Sequence, residues 1–76
     1  QSWNLKMDSA IKHKILGEFE TMRLIEQDAH ELYLKASTDP NVTDPRMRTC
    51  FQRIARDEEH HVELVERIMN IVRNCL

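Results

Sequence analysis

Apolar residues recur along this chain by steps of three and four, pause once, and then resume. Ile11, Ile15, Phe19, Met22, Ala29, Tyr33 and Ala36 fall on one stripe of a helix. Between Ser37 and Pro45 the run Ser-Thr-Asp-Pro-Asn-Val-Thr-Asp-Pro gathers helix breakers. The period then returns in Met47, Phe51, Ile54, Val65, Ile68, Val72 and Cys75. This pattern predicts one helix over about 8–36, a loop over 37–44 and a second helix over about 45–73, each roughly 40 Å long. Pro40 keeps Asp39 out of helical geometry and closes the first helix. Asp44 and Pro45 read as the N-cap and first residue of the second. A loop this short joins antiparallel neighbours. With no strand alternation and no internal repeat, the expected fold is all-α, a long antiparallel two-helix hairpin forming a single domain over 1–76. Residues 1–7 form a lead-in, with Trp3 and Leu5 available for packing and Asn4 or Asp8 for capping. Gly17 stands mid-helix, at a cost of about 1 kcal/mol relative to Ala; it either admits a close helix or is simply tolerated.

Three slots in the stripes hold residues that do not belong in a core: Glu26 in the first helix, Glu58 and His61 in the second. Glu26 precedes the loop by about as many residues as Glu58 and His61 follow it. In an antiparallel hairpin they come level, within a turn or two. A lone buried carboxylate costs several kcal/mol or takes up a proton; a bound cation removes that penalty. Glu58-x-x-His61 also places two good metal ligands on one helical face. That spacing alone is weak, since eight Glu and four His in 76 residues give about 0.4 such pairs by chance. Its place in the seam is what makes it specific.

The hairpin is not self-sufficient. Leu16, Leu24, Ile25, Leu32, Cys50, Ala55, Val62, Leu64, Met69 and Ile71 widen the apolar faces beyond what two helices can cover. Pairing two hairpins about a two-fold axis would close a four-helix bundle and double the ligands to four Glu and two His. Four carboxylates and two divalent ions then sum to neutrality. A net charge of −2 with both signs mixed gives no basic stripe for nucleic acid, and no apolar run reaches the length of a membrane span. Two cysteines outside any Cys-x-x-Cys pair suit a reducing, cytoplasmic setting, with Cys50 and Cys75 as small packing residues. The chain opens on Gln1 rather than Met, as a processed chain or a segment of a longer one would.

Glu26 with Tyr33 seven residues on, and Glu58-x-x-His61 within Ile-Ala-Arg-Asp-Glu-Glu-His-His-Val-Glu-Leu, resemble the ferritin-like di-iron carboxylate superfamily. The closer likeness is to rubrerythrin-type domains and the two-helix encapsulated-ferritin type, and it spans about residues 15–72. The resemblance implies a ferritin-like four-helix bundle built by a homodimer or a higher assembly of dimers. It implies Glu26 as terminal carboxylate, Glu58 as bridging carboxylate and His61 as nitrogen ligand, from each of two chains. Tyr33 would donate a hydrogen bond to these ligands, and His30, one turn from Glu26, would stand behind them or guard access. Two iron ions per dimer are implied, with Mn or Zn able to compete, and an oxidoreductase that oxidises Fe(II) or reduces O₂ or peroxide. The Cys-x-x-Cys pairs of a rubredoxin module are absent, so electrons would come from an external donor. No stretch beyond the second helix would serve as a shell-targeting peptide, so encapsulation is not expected.

Plainer readings stand beside this one. Glu58 and His61 could be an exposed pair, and Glu26 a polar pin for helix register. His30 could be an ordinary half-buried histidine, Tyr33 core packing and His60 a surface residue. The chain could then be a non-catalytic metal-binding or iron-handling module, or a metal-free helical dimerisation protein.

Overall fold

The computed structural model describes residues 7–76: two α-helices, α1 (Ser9–Thr38) and α2 (Pro45–Cys75), with no strand among these residues. The expected roles of Trp3, Leu5 and Asn4 lie outside the described residues. Asp8 caps α1, its carboxylate accepting from the Ala10 N–H at 2.8 Å. The helix runs two residues past the predicted end because Ser37 and Thr38 remain helical. Their hydroxyls donate back to the carbonyls of Leu34 (2.6 Å) and Lys35 (3.2 Å). Asp39 is extended, as a residue before proline must be. The Arg48 guanidinium ties the loop to α2 through the Val42 carbonyl at 2.6 Å. Asp44 caps α2 ahead of Pro45, accepting from the Arg46 N–H at 2.8 Å. The Arg46 guanidinium and N–H hold its carboxyl below the usual range. Neither helix is long and apolar enough to cross a membrane.

The helices are antiparallel, and each step up α1 is matched by one step down α2. The Lys12 ammonium reaches the Arg73 carbonyl at 2.7 Å, His30 meets the Ala55 carbonyl at 2.8 Å, and the Tyr33 and Phe51 rings stack at 6.2 Å. The result is a rod 63 Å long and 19 by 12 Å across. Its seam is drawn from α1 by Leu16, Phe19, Arg23, Glu26, His30, Tyr33 and Ser37. From α2 it takes Phe51, Ala55, Glu58, Val62, Val65, Met69 and Val72, all of both sets buried or half-buried. Both sets alternate steps of three and four, the spacing of a coiled coil.

This seam is not the predicted stripe. The two share Phe19, Glu26 and Tyr33 on α1 and Phe51, Glu58, Val65 and Val72 on α2, then diverge by one residue. Ile11, Met22, Met47 and Ile68, expected in the core, are 53%, 45%, 52% and 40% exposed. Cys50 and Cys75, expected as packing residues, are exposed as well. The apolar face is wider than one helix can cover, and the hairpin covers one of two overlapping seams.

The uncovered seam runs along a single side. Gln27 and Ala29 fall on opposite sides of the Glu26–His30 line at 100° per residue, as do Glu59 and His61 about Glu58–Val62. Gln27 and Glu59 line one groove together, so Ala29 and His61 share the other flank. The Gln27–Glu59 flank is mostly polar, with Glu20, Glu66 and Arg73 lining a further groove and Leu34 its exposed apolar exception. The opposite flank presents Ile15, Met22, Ala29 and Ala36 from α1 with Met47, Ile54, Ile68 and Cys75 from α2. The hairpin therefore has one polar and one apolar flank.

Gly17 takes part in neither flank, and nothing lies within 4 Å of where its Cβ would stand. Gly17→Ala should stabilise the protein by about 1 kcal/mol, roughly 4–8 °C in Tm for a chain of this size. Thermal unfolding followed by circular dichroism checks this; a fall in Tm would mean that another surface packs against Gly17.

Candidate metal centre

Two of the three stripe-breaking residues sit in the hairpin seam and the third beside it. Glu26 on α1 faces Glu58 on α2, their side chains 25% and 18% exposed. His61, one turn beyond Glu58, lies on the apolar flank with its ring 50% exposed. Its Nδ1 is 3.5 Å from Glu26 Oε2 and 3.9 Å from Glu58 Oε1, longer than a hydrogen bond. One ligand atom from each of the three lies within 4.8 Å of the others.

These separations are somewhat wider than those around a shared ion, so the three side chains would have to draw together by up to several tenths of an ångström to bind one. Ligands bonded at about 2.1 Å stand roughly 3.0–3.4 Å apart at neighbouring octahedral or tetrahedral positions, and about 4.2 Å apart across an octahedron. The donor set fits: two carboxylate oxygens and one imidazole suit iron, manganese or zinc. Three protein ligands leave coordination positions open. His61, half in water, turns the arrangement toward the uncovered flank.

The residues expected behind the ligands do something else in the hairpin. The Tyr33 ring packs on Phe51, 30° from coplanar, and its hydroxyl makes no hydrogen bond to Glu26, Glu58 or His61. His30 is half-buried and turned to α2: a carbonyl can only accept, so His30 Nδ1 carries the proton given to Ala55. This fixes the ring. His60 is a surface residue, 64% exposed, 3.8 Å from the Glu63 carboxylate.

Sequence reasoning passed over Arg23, a cation in the seam one turn before Glu26. It pairs with Glu20, one bond at 3.0 Å and a second, shorter contact between Nη2 and Oε1. That hydrogen bonding holds the Glu20 carboxyl below its usual range and raises Arg23. The Glu20-x-x-Arg23 spacing was the available sign, since residues three apart share a helical face. With its charge directed to Glu20, Arg23 does not neutralise the Glu26–Glu58 layer.

Replacing both seam carboxylates, Glu26→Leu with Glu58→Leu, should raise the Tm of the metal-free protein by several degrees, about 1 kcal/mol or more. It should also abolish any further rise in Tm on adding Mn(II) or Co(II). Thermal melts with chelator and with metal read both effects; a double variant less stable than the metal-free wild type would show that the carboxylates hold the hairpin together.

No protein-family model, curated protein or solved structure matches this chain, so the chemistry of the centre is read from the residues that compose it.

Proposed function

We propose that the hairpin is one half of a di-iron carboxylate oxidoreductase, completed when two copies pack apolar flank to apolar flank. The observation that carries this reading is the convergence, midway along the hairpin, of Glu26 and Glu58 from the seam with His61 from a flank that is otherwise apolar. The hairpin alone buries only Ala55, Val65, Met69 and Val72 as apolar core among the described residues. That is thin for a chain of this size. A second copy would cover Ile11, Met22, Met47 and Ile68 and produce a four-helix bundle of ferritin-like type. Two copies supply four carboxylates and two imidazoles, a set whose charge two divalent ions balance.

In this reading Glu26, Glu58 and His61 of each copy would hold the ions, two carboxylates and one imidazole from each chain. The apolar flanks exclude water, which strengthens every electrostatic contact in the site. Bound iron would supply electron exchange with O₂ or peroxide; the chain supplies the ligands, their spacing and a dry surround. The activity would be of ferroxidase or peroxidase type.

Anaerobic loading with Fe(II) followed by air should give oxidation of two irons per dimer, monitored by absorbance and metal analysis. Glu58→Ala should abolish binding because it removes the more buried of the two converging carboxylates from each copy. Metal that raises the Tm without oxidation would make the chain a metal-holding module; a chain that stays metal-free would leave a helical dimerisation protein.

The docking flank has its own test, because Cys75 is exposed and lies on it. Alkylation of Cys75 should slow at least tenfold across the concentration range in which sedimentation reports dimer formation. Equal rates for monomer and dimer would place the interface elsewhere.

A further inference from the structure

Arg23 stands in the seam between two carboxylates of its own helix. Glu20 and Glu26 are each three residues from it, about 4.5 Å along the axis and about 60° to either side at 100° per residue. Glu20 lies toward the polar flank, and Glu26 faces Glu58. The guanidinium is given to Glu20, with Nε donating to Oε2 at 3.0 Å and Nη2 to Oε1. Glu66 adds its attraction from α2. Among the described residues, Glu26 has only the His61 ring within ion-pair distance.

Arg23 is not locked in place by packing. It lines a cavity of about 310 Å³ together with Glu20, Glu66 and Arg73, which leaves the guanidinium room to turn. Long helical side chains lean toward the N-terminus of their helix, a bias that carries Arg23 toward Glu20 and Glu26 toward Arg23. A guanidinium freed from Glu20 would meet a partly buried carboxylate one turn away. Its charge is permanent and its fork of donors matches a carboxylate, so it would compete with a metal ion for the same oxygens.

We propose that Glu20 is a positioning residue of the metal centre: it holds Arg23 off Glu26 and so keeps the carboxylate layer open to a divalent cation. The inference rests on the metal-site reading above.

Titration with Co(II), followed by its visible absorbance, measures affinity apart from oxidation. Glu20→Ala should weaken cobalt binding about tenfold or more, the scale set by a hydrogen bond to a charged group that metal must displace. The metal-free Tm of this variant should hold or rise, because Arg23 then neutralises one carboxylate of the layer. Glu31→Ala makes the same charge change at an exposed position on the other side of Glu26; it should stay within about threefold of wild type, as a solvent-screened charge would. Arg23→Met keeps an unbranched stem and removes the charge. Added to Glu20→Ala, it should return cobalt affinity to within about threefold of wild type. Equal affinities for Glu20→Ala and Glu31→Ala would overturn the inference, as would a double variant that binds no tighter than Glu20→Ala. A fall in metal-free Tm with Glu20→Ala would overturn it too, since Glu20 and Arg23 would then be a structural ion pair alone. A wild-type chain that takes up no cobalt fails the metal-site reading itself, a result distinct from all of these.

Discussion

The structure turns on one arrangement: Glu26 and Glu58 occupy positions common to two helix seams. They are the carboxylates at which the covered seam and the uncovered one intersect. In the hairpin they face each other with about a fifth to a quarter of each side chain still in water, which keeps their mutual repulsion tolerable. Anything that seals the apolar flank removes that solvent and raises the cost of two like charges in one layer. Closure of the flank and neutralisation of the layer are therefore linked. In the proposed dimer the cation that satisfies the ligands is also what permits the apolar surfaces to close over them.

The two helices share this burden unequally. The seam of α2 is mostly aliphatic, with Val62, Val65, Met69 and Val72 in succession. The seam of α1 has Arg23, Glu26 and His30 one after another, and each has a different resolution. Arg23 turns to Glu20 on its own helix, His30 donates to a carbonyl of α2, and Glu26 has only the His61 ring beside it, at 3.5 Å. The polar stretch of α1 is stabilised by its own hydrogen bonds everywhere except at the residue that faces Glu58.

The helices, the loop and the level meeting of Glu26, Glu58 and His61 were all legible from periodicity and breakers. The seam phase was not. Steps of three and four through Phe19, Glu26 and Tyr33 continue equally well through Met22 and Ala29 or through Arg23 and His30. Hydrophobicity favours the first path, and the hairpin follows the second. Apolar residues on the first path remain uncovered because one neighbouring helix spans only part of so wide a face. Small residues held a clue, since Ser37 and Ala55, nearly solvent-free at 1% and 2%, lie on the second path. Of the two roles the sequence left open for Tyr33, packing or a hydrogen bond to the ligands, the hairpin shows the packing one, its ring lying on Phe51 across the seam.

The same phase bears on the plainer readings of the three polar residues. An exposed Glu58–His61 pair is half right, for His61 is half in water while Glu58 is mostly covered. A register pin requires two groups that satisfy each other across the seam. Glu26 and Glu58 are both acceptors when ionised, so neither can donate to the other without a shared proton or cation. Nor does His61 hydrogen-bond to either: its Nδ1 is too far from both oxygens for that, though within ion-pair distance of each. Three groups converging on one point without hydrogen-bonding one another are what the proposed cation would join, and that convergence is the support the metal reading has over a register pin.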